Sequence, residues 1–259
     1  MPSFQSADAQ INYQTFGEPS SPALVFSNSL GTNYGMWQKQ FNELKDQFFV
    51  ICYDTRGHGS SSTPDGPYTV EQLGEDVVRL LDHLNISKAA FCGISMGGLT
   101  GQWLAIHYPN RFSHAIVANT AAKIGQEQAW LDRAKLVREQ GLQPIAATAA
   151  SRWFTDPFIQ SHPSIVNNLC NDLSAGSAIG YANCCEALAK ADVREQLKDI
   201  KIPVLVIAGT QDPVTTVADG EFMQQRIPQS QLAEIDASHI SNVEQPEAFN
   251  KILKDFLLG

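Results

Sequence analysis

The chain has 259 residues, with 43% hydrophobic and 17% charged side chains, which is enough apolar material for one large core and excludes disorder as the main state. Its formal net charge of −9 repels phosphate backbones, so nucleic-acid binding is not expected. No apolar run reaches the roughly 18 residues of a membrane span, and the N-terminus shows no basic-then-apolar signal pattern, so the chain reads as a soluble cytoplasmic protein with no membrane partner.

Two patterns alternate along the chain. Short apolar or β-branched runs cover residues 10–16, 23–27, 48–53, 89–93, 114–119, 204–208 and 232–235. Most lack polar alternation, as in strands covered on both faces. Between them lie helical segments. In 70–84, Val70, Leu73, Val77, Leu80, Leu81 and Leu84 recur at three- and four-residue spacing, and Thr69 with Gln72 forms a capping-box pattern. The last helix spans 245–258, with Pro246 near its first turn. This alternation predicts a mostly parallel sheet. From about 120 to 199 the strand rhythm stops, and helices are expected at 127–140, 144–154, 164–172 and 179–190. The expected organisation is therefore a sheet-based core, 1–119 with 200–259, interrupted by a helical cap at 120–199.

Five cysteines, an odd number without a signal sequence, argue against a disulfide framework. Cys52 and Cys92 sit inside apolar runs as small core residues, and adjacent Cys184 and Cys185 pair only with strain. Neither CxxC nor HExxH occurs, so no metal site is expected.

The sequence GISMG places Ser95 in a G-x-S-x-G motif between a predicted strand and a helix. A serine there occupies a strained turn that lifts its hydroxyl above the sheet edge, while Gly93 and Gly97 keep side chains out of the crossing. The following helix aims free N–H groups at the same point, making the backbone N–H of Met96 one oxyanion-hole donor. On such a sheet nucleophile, acid and base follow in that chain order, each on a loop after a strand. His83, His107, His114 and His162 lie in or beside predicted elements, and His58 precedes Ser95. His239, between the strand QLAEID and the last helix, has the right order and place. The acid falls to Asp212, directly after VLVIAGTQ, because the preceding strand end carries Asn119 and the carboxylates of 120–199 read as helix-surface charges or caps. The loop NSLGT after ALVFS should supply the second oxyanion donor, the Leu30 N–H, with Gly31 allowing a tight turn.

With these landmarks in place, together with DTRGHGSS at 54–61, the chain resembles the α/β-hydrolase fold over essentially its full length. That resemblance implies an eight-stranded, mostly parallel sheet flanked by helices. One departure is Asn28-Ser29, where many members carry His-Gly. Within the fold, NSLGTNYGMW, TAAKIG at 120–125, RWFT at 152–155 and GYANCCEALAKAD at 180–192 resemble the 3-oxoadipate enol-lactonases. The resemblance implies a serine hydrolase that opens an anionic enol-lactone in aromatic catabolism and needs no cofactor. The chain stops at Gly259, after its last helix, so no fused decarboxylase module is expected.

An anionic lactone meeting an acidic chain needs a local cation. Arg133 follows Trp130 by three positions and shares its helix face, so Arg133 is the expected carboxylate partner, with Trp130 and Trp153 as pocket walls. The competing reading makes Arg133 a solvated residue and the tryptophans cap core. Competing functions are another esterase or perhydrolase of this fold, which shares the chemistry, or a ligand receptor that keeps the triad. Haloalkane dehalogenases and epoxide hydrolases use aspartate where Ser95 stands. Nothing in the sequence selects an oligomeric state.

Overall fold

The computed structural model describes residues 2–259. Eight strands form one sheet: β1 (Ser3–Ser6), β2 (Ala9–Phe16), β3 (Ala23–Ser27), β4 (Phe49–Tyr53), β5 (Ala89–Ile94), β6 (Phe112–Ala118), β7 (Val204–Gly209) and β8 (Ser230–Ile235). Their spatial order is β1-β2-β4-β3-β5-β6-β7-β8. β2 runs antiparallel to β1 and β4, and β4, β3, β5, β6, β7 and β8 run parallel to one another. Every residue of β3, β4, β5 and β7 is buried, which accounts for their unbroken apolar sequences.

Before the sixth strand come α1 (Gln38–Leu44), α2 (Val70–His83) and α3 (Met96–His107). Thr69 and Gln72 form the capping box at the start of α2, satisfying two otherwise free backbone donors. Between β6 and β7 the chain is helical: α4 (Glu127–Gln140), α5 (Gln143–Ala146), α6 (Ala149–Trp153), α7 (Asp156–Ser161), α8 (Pro163–Ala175) and α9 (Ala178–Lys190). Then α10 (Val217–Gln224), α11 (Ser241–Glu244) and α12 (Pro246–Leu258) complete the chain.

The helix expected at 144–154 is instead two short ones, broken at Thr148, whose φ of −116° leaves the helical region. The helix α7 and the edge strand β1 were not expected. Among the described residues no helix is long and apolar enough to cross a membrane. All five cysteines are free thiols, and Cys52, Cys92, Cys184 and Cys185 are buried.

Candidate active site

The turn between β5 and α3 sets the position of Ser95. Its backbone holds φ 55° and ψ −115°, a strained conformation for a residue with a side chain. The Ser95 N–H donates to the Ala118 carbonyl (3.0 Å), and its own carbonyl accepts from the Leu99 N–H (2.9 Å) and the Thr120 hydroxyl (2.7 Å). A methyl group on Gly93 would sit 2.2 Å from the Gly97 carbonyl oxygen, and one on Gly97 would sit 2.4 Å from that of Ser27. Both glycines are therefore required by the closeness of strand and helix. Met96 is buried as the first residue of α3, and its N–H finds no acceptor among the described residues.

The loop after β3 lies against this turn. Asn28, at the position where many members carry histidine, is fully buried. Its amide donates to the Tyr53 carbonyl (2.9 Å) and accepts from the Trp37 indole (3.0 Å), while its backbone carbonyl accepts from the Gly97 N–H (3.1 Å). The departure from His-Gly thus has its own anchorage. The Gly31 N–H donates to His58 Nε2 (3.0 Å). The Leu30 N–H between these anchors has no acceptor among the described residues.

His239 and Asp212 come together from the loops after β8 and β7. His239 Nδ1 donates to Asp212 Oδ2 at 2.8 Å, with both side chains almost fully buried. Asp212 also accepts from the backbone N–H groups of Val214 (2.7 Å) and Thr215 (3.1 Å), the Thr215 hydroxyl (2.8 Å) and the Asn119 amide (3.1 Å). Burial pushes this carboxyl upward, but attraction to His239 and the donated hydrogen bonds outweigh it, and its pKa lies below the usual carboxylate value. An anion at Asp212 fixes Nδ1 as the protonated ring nitrogen and leaves Nε2 as the basic one.

The histidine loop is tied to the helical segment above it. The Ile240 N–H donates to the Trp153 carbonyl (3.0 Å). Buried Glu244 accepts from the Ser238 N–H (2.9 Å) with one oxygen, and from the Thr155 N–H (3.2 Å) and hydroxyl with the other.

A cavity of about 280 Å³ brings together six of the residues expected from sequence: Leu30, Ser95, Trp130, Arg133, Trp153 and His239. The Arg133 guanidinium lies 4.9 Å over the Trp130 ring, whose indole N–H is held by the Ile124 carbonyl. Two further residues of this cavity went unrecognised in the sequence, Arg152 and Tyr181. Arg152 is oriented by the Thr148 hydroxyl and the Ile145 carbonyl (3.1 Å). Burial, and then the positive charge of Arg133, hold its pKa below the ordinary arginine value.

Five basic residues lie between 123 and 156. Lys123 pairs with Asp192, Lys135 with Glu139 and Arg138 with Glu186. Among the described residues, Arg133 and Arg152 have no carboxylate partner, and both face the cavity. Charge counting in the sequence could have singled out this region, but not which two cations stay unpaired.

A serine on a strained strand-to-helix turn of a mostly parallel sheet, lining one cavity with a carboxylate-held histidine, points to a hydrolase class. A profile of the alpha/beta hydrolase fold matches residues 22–246, and the chain belongs to that family of enzymes. It is 68% identical over 243 residues to 3-oxoadipate enol-lactonase 2 of Acinetobacter baylyi, covering 94% of this chain and 91% of that one. To 3-oxoadipate enol-lactonase 1 of the same organism it is 52% identical over 247 residues, covering 95% and 92%. The crystal structure of the enol-lactonase from Burkholderia xenovorans LB400 superposes with a TM-score of 0.98 at 42% identity over the full length of both chains.

Proposed function

We propose that this chain opens 3-oxoadipate enol-lactone to 3-oxoadipate in the cytoplasm, as a step in aromatic breakdown through the β-ketoadipate pathway. Residues 120–199 act as a cap over a catalytic core formed by 1–119 and 200–259. Ser95 is the nucleophile, His239 the base and Asp212 the group that orients it.

His239 Nε2 takes the hydroxyl proton as Ser95 Oγ bonds to the lactone carbonyl carbon. The resulting oxyanion is received by the N–H groups of Leu30 and Met96. Collapse breaks the ring C–O bond. The proton held on His239 passes to the leaving enolate, which becomes a ketone, while the acyl end stays bound as an ester of Ser95. Water then gives one proton to the freed His239 as its oxygen bonds to the ester carbon. The bond from that carbon to Ser95 Oγ breaks, Oγ takes the proton back from His239, and the new carboxyl releases its own proton to solvent. Trp130 and Trp153 wall the ring, and Arg133 with Arg152 receives the carboxylate of the substrate arm.

The observation that carries this reading is a single cavity holding Ser95, His239 and two guanidiniums without carboxylate partners among the described residues. A neutral ester gives those cations nothing to bind, whereas a carboxylated lactone does. The test is to mix the purified chain with the enol-lactone and follow loss of its enol ester absorbance. Wild type should consume it, and Ser95→Ala should lose at least about 10⁴-fold in kcat while remaining folded by circular dichroism. Turnover by Ser95→Ala at the wild-type rate would overturn the assignment.

A further inference from the structure

His58 stands outside the catalytic order, yet it is buried and makes a directed contact with the loop after β3. Its Nε2 accepts the Gly31 N–H at 3.0 Å, and its Nδ1 lies 3.3 Å from the Arg56 carbonyl. A backbone N–H can only donate, so Nε2 is unprotonated and Nδ1 carries the ring proton, given to Arg56. Burial keeps the ring in this neutral form, with its pKa lowered to about 4. The neighbouring Arg56 guanidinium is taken up by Asp76 and Asp8 and leaves the imidazole alone.

The contact falls at a sensitive place. Leu30 sits between two pinned residues. On one side the Asn28 carbonyl is held by the Gly97 N–H of the nucleophile turn. On the other, Gly31 is held by His58. Gly31 has φ +83°, and a methyl group there would meet Leu173 at 2.7 Å and Tyr181 at 3.1 Å. The loop is thus pressed from above by α8 and α9 and gripped from below by an imidazole. The Leu30 N–H shares a peptide plane with the Ser29 carbonyl, which the Thr32 N–H (3.2 Å) and hydroxyl (2.8 Å) hold, and His58 holds the next plane through the Gly31 N–H. The two grips together leave the dihedrals of Leu30 little freedom to turn its N–H away.

We propose that His58 is a positioning residue for the oxyanion hole: by accepting the Gly31 N–H it aims the Leu30 N–H at the carbonyl oxygen under attack. This rests on the assignment of Ser95 as nucleophile and Leu30 as donor. His58 touches neither substrate nor reacting atoms. Its contribution belongs to the transition state, where the oxygen becomes charged, rather than to ground-state binding.

The test compares His58→Leu, which fills similar space without an acceptor, with His58→Gln, whose Oε1 reaches the place of Nε2. Each is assayed on the enol-lactone, with an alkylboronic acid as a tetrahedral mimic and a fluorophosphonate to label the nucleophile. His58→Leu should lose about 10- to 100-fold in kcat with KM changed less than threefold, and its boronate Ki should rise by the same factor. His58→Gln should recover most of both losses. Labelling of Ser95 in the wild type checks the underlying assignment separately. If Ser95 is labelled and His58→Leu keeps wild-type kcat and boronate affinity, His58 does not aim the donor. If His58→Leu and His58→Gln lose equally in kcat, KM and thermal stability, the role is only structural. If Ser95 is not labelled while another residue is, the underlying assignment fails instead.

Discussion

Asn119 shows how a single side chain can be read correctly and still incompletely. Its chain position suits a catalytic acid, but an amide cannot be the anion. In the structure its amide donates to both Asp212 and the Ser238 carbonyl, and it accepts from the Ser241 hydroxyl. It therefore ties the acid to the histidine loop from a backbone at φ 43°, a conformation asparagine tolerates better than most residues. Nothing in the string HAIVANT announces this, because all three partners lie more than ninety positions away. The proposed trio Ser95, Asp212 and His239 could be picked out for the opposite reason, since each sits at a strand end in a fixed chain order. Arg152 was hidden because its neighbour Trp153 looked like the residue with the purpose. The two unpaired guanidiniums give a direct prediction. Hydrogen bonds to a charged group are worth about 1.5–3 kcal/mol. Arg133→Ala and Arg152→Ala should each lower kcat/KM for the carboxylated lactone by roughly 10- to 100-fold. A neutral aryl ester should change by less than about threefold, and parallel loss on both substrates would show that neither arginine reads the carboxylate.

Among the elements, the central strands were plain in the sequence because burial on both faces leaves an uninterrupted apolar run. β1 was not, since SFQS is four residues long and alternates at the sheet edge, leaving too little pattern to separate it from a loop. The break between α5 and α6 was also invisible, because no glycine or proline lies between Ile145 and Phe154 to mark it. Local signals worked where they were chemical as well as periodic. The capping box of α2 is the clearest case, and Thr69→Ala should lower unfolding free energy by about 1 kcal/mol in urea titration. Its catalytic constants should stay at the wild-type values, since α2 lies away from the cavity residues.

The whole molecule answers to acid through groups that folding keeps uncharged or paired. His58 is held neutral with a pKa of about 4 against an ordinary 6.5. A folded-state value below the unfolded one means the unfolded chain binds the proton first. Its contribution is complete above pH 6.5 and is lost as pH falls toward 4, by about 3 kcal/mol in all. Half-buried His114, lowered by burial and by Lys88, acts in the same direction. Asp212, lowered below 3.8, adds its loss only at still more acid pH. The His58 ring meets the Arg56 backbone carbonyl on its own loop and the Tyr181 ring of α9, and it shares a cavity with Asp172 of α8. Urea unfolding measured from pH 7 to 4.5 should show a falling stability whose slope is reduced in His58→Gln. An unchanged slope would mean the imidazole is not held neutral by the fold.

The junction at Glu244 carries a consequence for how such a hydrolase diversifies. One carboxylate, that of Glu244, grips both the Ser238 N–H beside His239, the proposed base, and the Thr155 N–H just past Arg152 and Trp153. Mutational drift in that stretch is therefore transmitted to the proton-transfer machinery, whereas α4, which presents Trp130 and Arg133, has no such tether to the imidazole. New substrate preferences should arise with least loss of turnover through changes in α4, and directed libraries there should yield more active variants than libraries of equal size at 152–155.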